Sequence, residues 1–343
     1  MRFKMRSFSF ILGASLAAAI LAACGGGQSL GGSAGGGAMM PGVSGDRHAA
    51  YMAADASKKS ALMYAGDWAT NDVFVYDYPS GKQVGMLTGF DAPYGMCVDK
   101  KGDVYISNFY NGTVVEYAHG GTSPLKVYNS VGEPMGCSVD AKGDLAVTSF
   151  NPGEAIVFAG GDPLKGTTYT GPCEFLWTMG YDSSGNLVGI GEEGHGSIAA
   201  CALLAGSKGM IMLSGCCTGP IQIDFPGSTM WDGKYIAIGD QEVTGKIEAS
   251  VIAASLSGTT LSEHGTTILG DDCSGSYTSI VNPFVIGKKN TPANHRRGRV
   301  VAGVLPCGGS PEGLGLWHYP KGGEPFKSYT VGVPYGVAVS LKT

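Results

Sequence analysis

One sequence motif of about 15 residues recurs along this chain and limits the folds that the chain can adopt. The segment Pro93–Ser107 returns as Pro134–Thr148, and fainter copies run over Leu176–Ile190 and Gly227–Gly239. The first three copies are anchored by aspartates at separations of 41 and 42 positions: Asp99, Asp140 and Asp182. A period of about 40 residues built of short strands is typical of folds in which every repeat forms one small sheet.

The first three copies carry an Asp-x-x-Gly sequence, which predicts a tight hairpin. Asp99 is expected to close an Asx turn, and Gly102 is expected to take the left-handed conformation. In the strand before the turn, the position four before the aspartate is small: Gly95, Gly136, Thr178 and Ser228. The position one before it is large and apolar: Val98, Val139, Tyr181 and Trp231. These positions lie on opposite faces of a strand. The repeats therefore predict an all-β fold, a β-propeller in which the large side chains of one blade pack against the small side chains of the next.

The two ends of the chain complement one another. Pro334–Ser340 matches Pro93–Asp99, but no second strand follows it, whereas Ala61–Ala65 and Asp72–Tyr76 look like later strands without an inner strand before them. We therefore predict that the C-terminal strand pairs with the N-terminal blade and closes the ring. Inner strands near residues 93, 134, 176, 226 and 334, with one more within Tyr277–Ile286, predict six blades, and seven blades are the alternative.

Residues 1–23 are interpreted as a lipoprotein signal peptide. Three basic residues precede the apolar run Phe8–Ile20, and the sequence Leu21–Cys24 resembles a bacterial lipobox. That resemblance implies that Cys24 carries a diacylglycerol thioether and palmitate and becomes the mature N-terminus. Several acyl chains would then hold the protein on a membrane.

Residues 24–57 are predicted to be the lipidated cysteine and a flexible tether. Ten residues of Gly25–Gly45 are glycine and none is charged, which gives a coil with a reach of about 25 Å. The tether would lift the propeller, residues 58–343, away from the headgroups. Gly25 stands where inner-membrane lipoproteins of enterobacteria usually carry Asp, so the resemblance implies the outer membrane of a cell with two membranes and the cell surface otherwise.

The charge of the chain argues against nucleic acid as a partner. The formal net charge of −5 becomes −8 when the three basic residues of the signal are removed, and nucleic-acid binding requires a basic face. One basic cluster could contact anionic lipid or form a solvated hairpin loop: Lys288, Lys289, His295, Arg296, Arg297 and Arg299. We expect a monomer.

Eight cysteines remain after Cys24, and an even number in an exported chain predicts disulfides. Adjacent Cys216 and Cys217 are expected to pair with different partners, with Cys173 and Cys201 as candidates. A bond between Cys273 and Cys307 is expected within the last blade. No spacing of the cysteines indicates a zinc site.

The sequence Pro93–Asn108, followed by Asn111–Tyr117, resembles the NHL repeat. The resemblance is strongest over the second and third blades and weakest over the fifth and sixth. It implies a six-bladed propeller of a kind that includes binding modules, with lactonases, streptogramin lyases and peptidyl-amidating lyases among related propellers. A fold of this kind does not determine activity.

Related propeller enzymes hold a divalent ion at the mouth of the central channel, and the resemblance implies candidate ligands in the loops before the inner strands. They are Asp91, Glu133, Glu174 and either Asp271 or Asp272. Such oxygen ligands suit Ca²⁺ or Mg²⁺, although acidic residues at these positions are also typical of solvated loops. His195, beside Glu192 and Glu193, is the nearest candidate for a lyase-like site, and a hairpin tip is the alternative.

Four aromatic residues stand at strand starts or in the loops between strands: Tyr94, Phe109, Trp177 and Tyr335. They either line a shallow pocket for a sugar or peptide or pack at the rim of the blades. The favoured function is therefore a lipid-anchored extracytoplasmic propeller that binds a protein, peptide or glycan of the cell envelope. The alternative is a divalent-metal-dependent hydrolase or lyase, similar to a lactonase, that acts on a small molecule.

Overall fold

The computed structural model describes residues 49–342 except 130, 195, 218, 242–248, 271–283, 287–298, 308–309 and 333. Side chains between 284 and 312 also lie outside the description. The predicted signal peptide, Cys24 and most of the predicted tether therefore fall outside the described residues. No helix within the described ranges is long and apolar enough to cross a membrane.

The described chain is almost entirely β-structure, arranged in consecutive sheets. The first sheet has the spatial order β1 (Tyr51–Met52), β4 (Lys82–Leu87), β3 (Asp72–Asp77), β2 (Ala61–Asp67) and β25 (Pro334–Leu341). The second consists of β5 (Pro93–Val98), β6 (Val104–Asn108), β7 (Thr113–Tyr117) and β8 (Pro124–Tyr128). The third consists of β9 (Pro134–Val139), β10 (Leu145–Ser149), β11 (Glu154–Phe158) and β12 (Gly166–Thr170).

Three further sheets follow the same antiparallel order. The fourth consists of β13 (Phe175–Tyr181), β14 (Leu187–Glu193), β15 (Ser197–Leu203) and β16 (Ile211–Met212). The fifth consists of β17 (Pro226–Trp231), β18 (Ile236–Asp240), β19 (Ala249–Ser257) and β20 (Thr260–Leu269). The last consists of β21 (Phe284–Ile286), β22 (Arg299–Cys307), β23 (Ser310–Tyr319) and β24 (Lys327–Thr330).

The chain is thus an all-β propeller with several blades. Five sheets have strands whose side chains are all described, whereas the sheet β21–β24 has described side chains only from Gly313 onward. A count of the fully described sheets gives five blades, one fewer than the predicted six. The described residues contain no seventh sheet.

The predicted hairpin turns are confirmed. Asp99 Oδ1 accepts hydrogen bonds from the backbone N–H groups of Lys101 and Asp103, at 2.8 and 2.9 Å, and Gly102 has a φ of +91°. The same bonds recur at Asp140 and Asp182. A short side chain that bonds its own backbone therefore fixes each inner hairpin.

The slim face of the inner strands is also confirmed, but its neighbour differs from the prediction. A Cβ atom added to Gly95 would lie 2.1 Å from the Met135 carbonyl oxygen, and one added to Gly336 would lie 2.0 Å from that of Tyr94. At Gly95 and Gly336 the small position therefore faces the backbone of the next inner strand, because successive inner strands approach closely at this level. Gly136 instead faces the side chain of Thr178.

The C-terminal strand pairs with the N-terminal sheet as predicted. The register of β25 on β2 runs from Ala61↔Leu341 to Asp67↔Pro334. The first sheet also begins earlier than expected, because β1 lies inside the range predicted to be tether and pairs with β4. A short 3₁₀ helix, Ala56–Lys58, lies between β1 and β2, and a second one spans Ala159–Gly161.

The disulfides correct the expected pairing. Cys216 and Cys217 bond to each other rather than to separate partners, and Cys173 bonds to Cys201. A third bond joins Cys97 of β5 to Cys137 of β9. The side chains of Cys273 and Cys307 lie outside the described residues. These disulfides indicate an oxidising, extracytoplasmic location.

Candidate functional site

The candidate residues lie at one end of the sheets. Each inner strand begins there and the second strand ends there, because the two strands are antiparallel; Pro93↔Asn108 and Pro134↔Ser149 are examples of the pairing. We call this the mouth end. The opposite end, where the Asx turns lie, is the hairpin end.

Backbone hydrogen bonds fix the loops at the mouth end. The N–H of Phe109 donates to the Ala92 carbonyl at 3.1 Å, and the N–H of Phe150 donates to the Glu133 carbonyl at 2.8 Å. In the fifth sheet, the N–H of Gln241 donates to the Phe225 carbonyl at 2.8 Å. In each of these sheets, the residue after the second strand is thereby held against the connector that leads into the inner strand.

The last side chain of the second strand orders the same connector. Asn108 Oδ1 accepts from the N–H of Asp91, and Ser149 Oγ accepts from the N–H of Glu133. In the fifth sheet, Asp240 Oδ1 accepts from the N–H of Phe225 at 3.0 Å. A polar residue at this strand end therefore stabilises the loop that carries a carboxylate or an aromatic ring.

Aromatic rings from the first two sheets meet around Trp68, the residue that follows β2. Its ring centroid lies 5.2 Å from Tyr335, 5.9 Å from Tyr94 and Phe109, and 5.3 Å from Tyr110. These separations lie in the range in which aromatic pairs attract each other.

A second group comes from the third, fourth and fifth sheets. Phe150 lies 5.2 Å from Phe175 and 5.4 Å from Trp177, and Trp177 lies 5.1 Å from Phe225. Met135 belongs to the same packed cluster as both groups. We call the whole set the aromatic arc: Trp68, Tyr94, Phe109, Tyr110, Met135, Phe150, Phe175, Trp177, Phe225 and Tyr335.

The arc has a buried floor and a partly exposed upper layer. Tyr94 and Trp177 are buried, whereas Tyr110 is 61% exposed. Tyr335 is partly exposed, and burial of its hydroxyl raises its pKa, so this group stays a neutral hydrogen-bond donor. The structure therefore brings the four aromatic candidates together, with two of them forming the floor.

Sequence reasoning missed Trp68, Phe150 and Phe225. The signal was present, because Trp68, Phe109 and Phe150 occupy one repeat position and are each 41 residues apart. Each directly follows the second strand of its sheet. When the repeats are aligned, an aromatic residue follows the second strand in three of them. Equivalent positions of neighbouring blades lie at the same end of the propeller, so this pattern predicts that the three rings lie close together.

One polar atom within the arc has no hydrogen-bond partner among the described residues. The Nε1 atom of Trp177 is buried and makes no hydrogen bond to any described residue. Buried indole N–H groups usually have an acceptor. Within the described residues, this N–H therefore remains an available hydrogen-bond donor.

The three described carboxylate candidates lie in the connectors at the mouth end. Asp91 and Glu133 are partly exposed, and Glu174 is exposed. No group of three or more His, Cys, Asp or Glu that could hold a metal ion occurs in the part of the chain that was described, and the metal role of these carboxylates stays a prediction. Asp271, Asp272 and His195 lie outside the described residues.

Comparison with known proteins supports the fold but identifies neither a family nor an activity. No protein-family model matches the chain, and no curated protein sequence matches it. A chain in the crystal structure of a nidogen/laminin complex is similar, with 11% identity, a TM-score of 0.53 and coverage of 82% of this chain and 98% of that one. At this identity the likeness shows the propeller fold alone.

Two weaker likenesses involve propeller proteins described as enzymes. A putative 6-phosphogluconolactonase from Bacteroides fragilis has 11% identity, a TM-score of 0.48 and coverage of 82% of this chain and 98% of that one. A streptogramin B lyase has 12% identity, a TM-score of 0.44 and coverage of 71% and 70%. Both scores are too low to carry an argument about activity.

Proposed function

We propose that this protein is a binding module of the cell envelope and that its ligand, a protein, peptide or glycan, binds at the aromatic arc. The observation that carries the proposal is one packed cluster at the mouth end, joined through Met135, that includes partly exposed rings from five sheets. Aromatic residues are enriched at recognition surfaces because they bury a large area and offer a polar atom as well.

The proposed molecule is a closed ring of six blades. The sheet β21–β24 counts as the sixth blade in this proposal, and the pairing of β25 with β2 is the closure. Contacts between β21 and both β17 and β25 support that arrangement. A closed ring would leave few unpaired sheet edges.

The proposed anchor is lipid on Cys24, with residues 1–23 removed and the Gly-rich segment as spacer. The disulfides support export, because such bonds persist in oxidising compartments. An outer-membrane or cell-surface address is part of the same proposal and rests on the lipobox and on Gly25.

Ligand arrays test the proposed site. The full chain in detergent micelles is applied to arrays of glycans and of peptides, together with the variants Trp68→Ala and Tyr110→Ala. The control is Phe326→Ala, since Phe326 is a ring 38% exposed in the loop between β23 and β24, at the hairpin end. We expect a ligand that both arc variants bind about tenfold more weakly, while the control binds it normally. A ligand retained equally by all variants would contradict the proposed site.

The metal-dependent hydrolase or lyase remains the alternative prediction, with Asp91, Glu133, Glu174 and Asp271 as ion ligands. Its test is a Ca²⁺ titration by calorimetry on the full chain and on Glu133→Gln. A heat of Ca²⁺ binding that is measured for the wild-type protein and is absent in the variant would support the metal-dependent enzyme.

A further inference from the structure

We propose, building on the proposed function, that the ligand of the aromatic arc is a cationic peptide segment of a partner protein. The inference starts from the distribution of charge between the two ends of the sheets. Every lysine whose side chain is described lies at or next to the hairpin end: Lys58, Lys59, Lys82, Lys100, Lys101, Lys126, Lys142, Lys165, Lys208, Lys234, Lys321, Lys327 and Lys342.

Contacts between sheets support this placement of the lysines. Lys100 Nζ donates to the Ala141 carbonyl in the next hairpin at 3.3 Å, and Lys126 Nζ donates to the Gly161 carbonyl at 3.1 Å. The N–H of Lys342 donates to the Ser60 carbonyl beside the start of β2. The lysines thus surround the end that is opposite to the arc.

The mouth end carries carboxylates but no described lysine, whereas the hairpin end carries both lysines and carboxylates, such as the Asx-turn aspartates. Asp91, Glu133 and Glu174 precede the inner strands of three neighbouring sheets, and Glu192 and Glu193 end β14. None of these five forms an ion pair with a lysine in the described ranges, where the ion pairs involve other acids. Lys246 and His195 fall outside the described residues.

The carboxylates lie next to the rings of the arc. The N–H of Tyr110 donates to the Asp91 carbonyl at 3.3 Å, and the N–H of Phe150 donates to the Glu133 carbonyl. Glu174 directly precedes Phe175. A cation bound here would meet ring faces and negative charge together, and both attract it.

Two observations favour a peptide over a small ammonium ion. The Nε1–H of Trp177, whose residue is 7% exposed, has no acceptor among the described residues and could donate to a peptide carbonyl. The arc and its carboxylates also extend over several sheets, which suits a segment with several lysine or arginine side chains. Such a segment would be attracted to the mouth end, where the described carboxylates have no lysine beside them, more than to the hairpin end, where lysines and carboxylates are mixed.

Fluorescence anisotropy with three labelled nonapeptides tests the charge. The probes are three repeats of Lys-Phe-Gly, of Gln-Phe-Gly and of Glu-Phe-Gly, and the protein is the full chain in non-ionic detergent. We expect the lysine peptide to bind most tightly and to lose affinity as salt is raised from about 0.05 to 0.3 M, because added ions screen exposed charges.

Charge variants test the location of the site. Glu133→Gln and Glu174→Gln should each weaken binding of the lysine peptide about three- to fivefold. Glu263→Gln is the matched control, because Glu263 is exposed on the outer strand β20, and glutamine can still accept from the Thr266 hydroxyl. Tyr110→Ala should also weaken binding.

The outcomes separate this inference from the proposed function. If the lysine and glutamine peptides bind equally, or if the Glu133 and Glu174 variants bind like the control, the cationic ligand is wrong. If a neutral glycan or peptide then binds in a manner that depends on Tyr110, the proposed binding site still stands. If no probe depends on Tyr110 or Trp68, both proposals fall.

Discussion

At the scale of single residues, the small positions of the inner strands decide how closely neighbouring blades approach. The site of a Cβ on Gly95 is already occupied by the Met135 carbonyl, whereas Thr178 uses its hydroxyl to donate to the Gly227 carbonyl at 3.1 Å. The position thus requires a glycine in the second sheet, where Gly95 contacts backbone. In the fourth sheet the equivalent Thr178 is accommodated and forms a hydrogen bond to the neighbouring strand.

The variant Gly95→Ala should therefore destabilise the protein. The added methyl group would collide with backbone that cannot rotate away, and we expect a loss of at least about 2 kcal/mol in the free energy of unfolding. Urea denaturation followed by tryptophan fluorescence measures it.

Gly209→Ala is the control, because the nearest atom to its added Cβ is 3.7 Å away and the substitution reduces the freedom of the unfolded chain. Equal midpoints for the two variants would show that the close approach at Gly95 is not required.

The disulfide between Cys97 and Cys137 also has a residue-scale cause. Cys97 lies two positions before its hairpin aspartate and Cys137 lies three positions before its own. Side chains on equivalent strands that differ by one position point to opposite faces. The two thiols therefore meet between neighbouring inner strands, with a Cα–Cα distance of 5.5 Å.

At the scale of elements, the loop after β7 ties the second sheet to the first. His119 Nε2 donates to the Lys59 carbonyl at 2.9 Å, and its Nδ1 lies 2.6 Å from the Ser340 hydroxyl. Gly120 N–H donates to the Tyr64 hydroxyl at 2.8 Å. The hairpin end of the first sheet thus depends on a neutral, half-buried imidazole.

This loop predicts a dependence of stability on pH. Burial lowers the pKa of His119 below its usual 6.5, so the unfolded chain takes up the proton first as the pH falls. Stability from this group is present above pH 6.5 and decreases as the pH drops towards the lowered pKa.

His119→Gln should flatten the change in urea midpoint between pH 7.5 and pH 5, whereas His264→Gln should leave it as in the wild type. A wild-type slope in the His119 variant would exclude this origin.

At the scale of the whole molecule, the first sheet is completed by residues from both ends of the described chain. The strand β25 occupies the inner position and β2 pairs along its length, while Val337 and Ala338 of β25 are almost fully buried. Stability of the first sheet should therefore depend on the C-terminus.

Deletion of residues 334–343 should abolish the cooperative thermal transition or lower its midpoint by more than 10 °C, at about 2 to 4 °C per kcal/mol for a domain of this size. The reason is that β2 loses its inner partner and the buried side chains of β25. Deletion of Lys342 and Thr343 alone is the control. An unchanged melting curve for the longer deletion would refute the role of β25 in holding the blades together.

Much of the fold could be predicted from short sequence motifs. Asp99, Asp140 and Asp182 act on their own backbone, so three hairpins follow from the sequence with no knowledge of neighbours. The partners of Cys216 and Cys217 could not be read in this way. A choice among pairings depends on where distant strands lie, and here the two adjacent residues bond to each other.

The candidate site was predictable in part. Tyr94, Phe109, Trp177 and Tyr335 were recognisable by their positions near strand starts or in loops, but their mutual contacts were not. The gathering of the rings depends on how sheets separated by about 40 residues stack beside each other.

The repeat, the short strands, the Asx turns and the match between the two ends of the chain follow from local sequence patterns, because each is visible within one repeat or by comparing two of them. The folded arrangement was needed to show that rings of five sheets belong to one packed cluster, that Cys97 bonds to Cys137 and that the described lysines lie at the other end. Those outcomes depend on the stacking of blades, which sets which equivalent positions face one another in space.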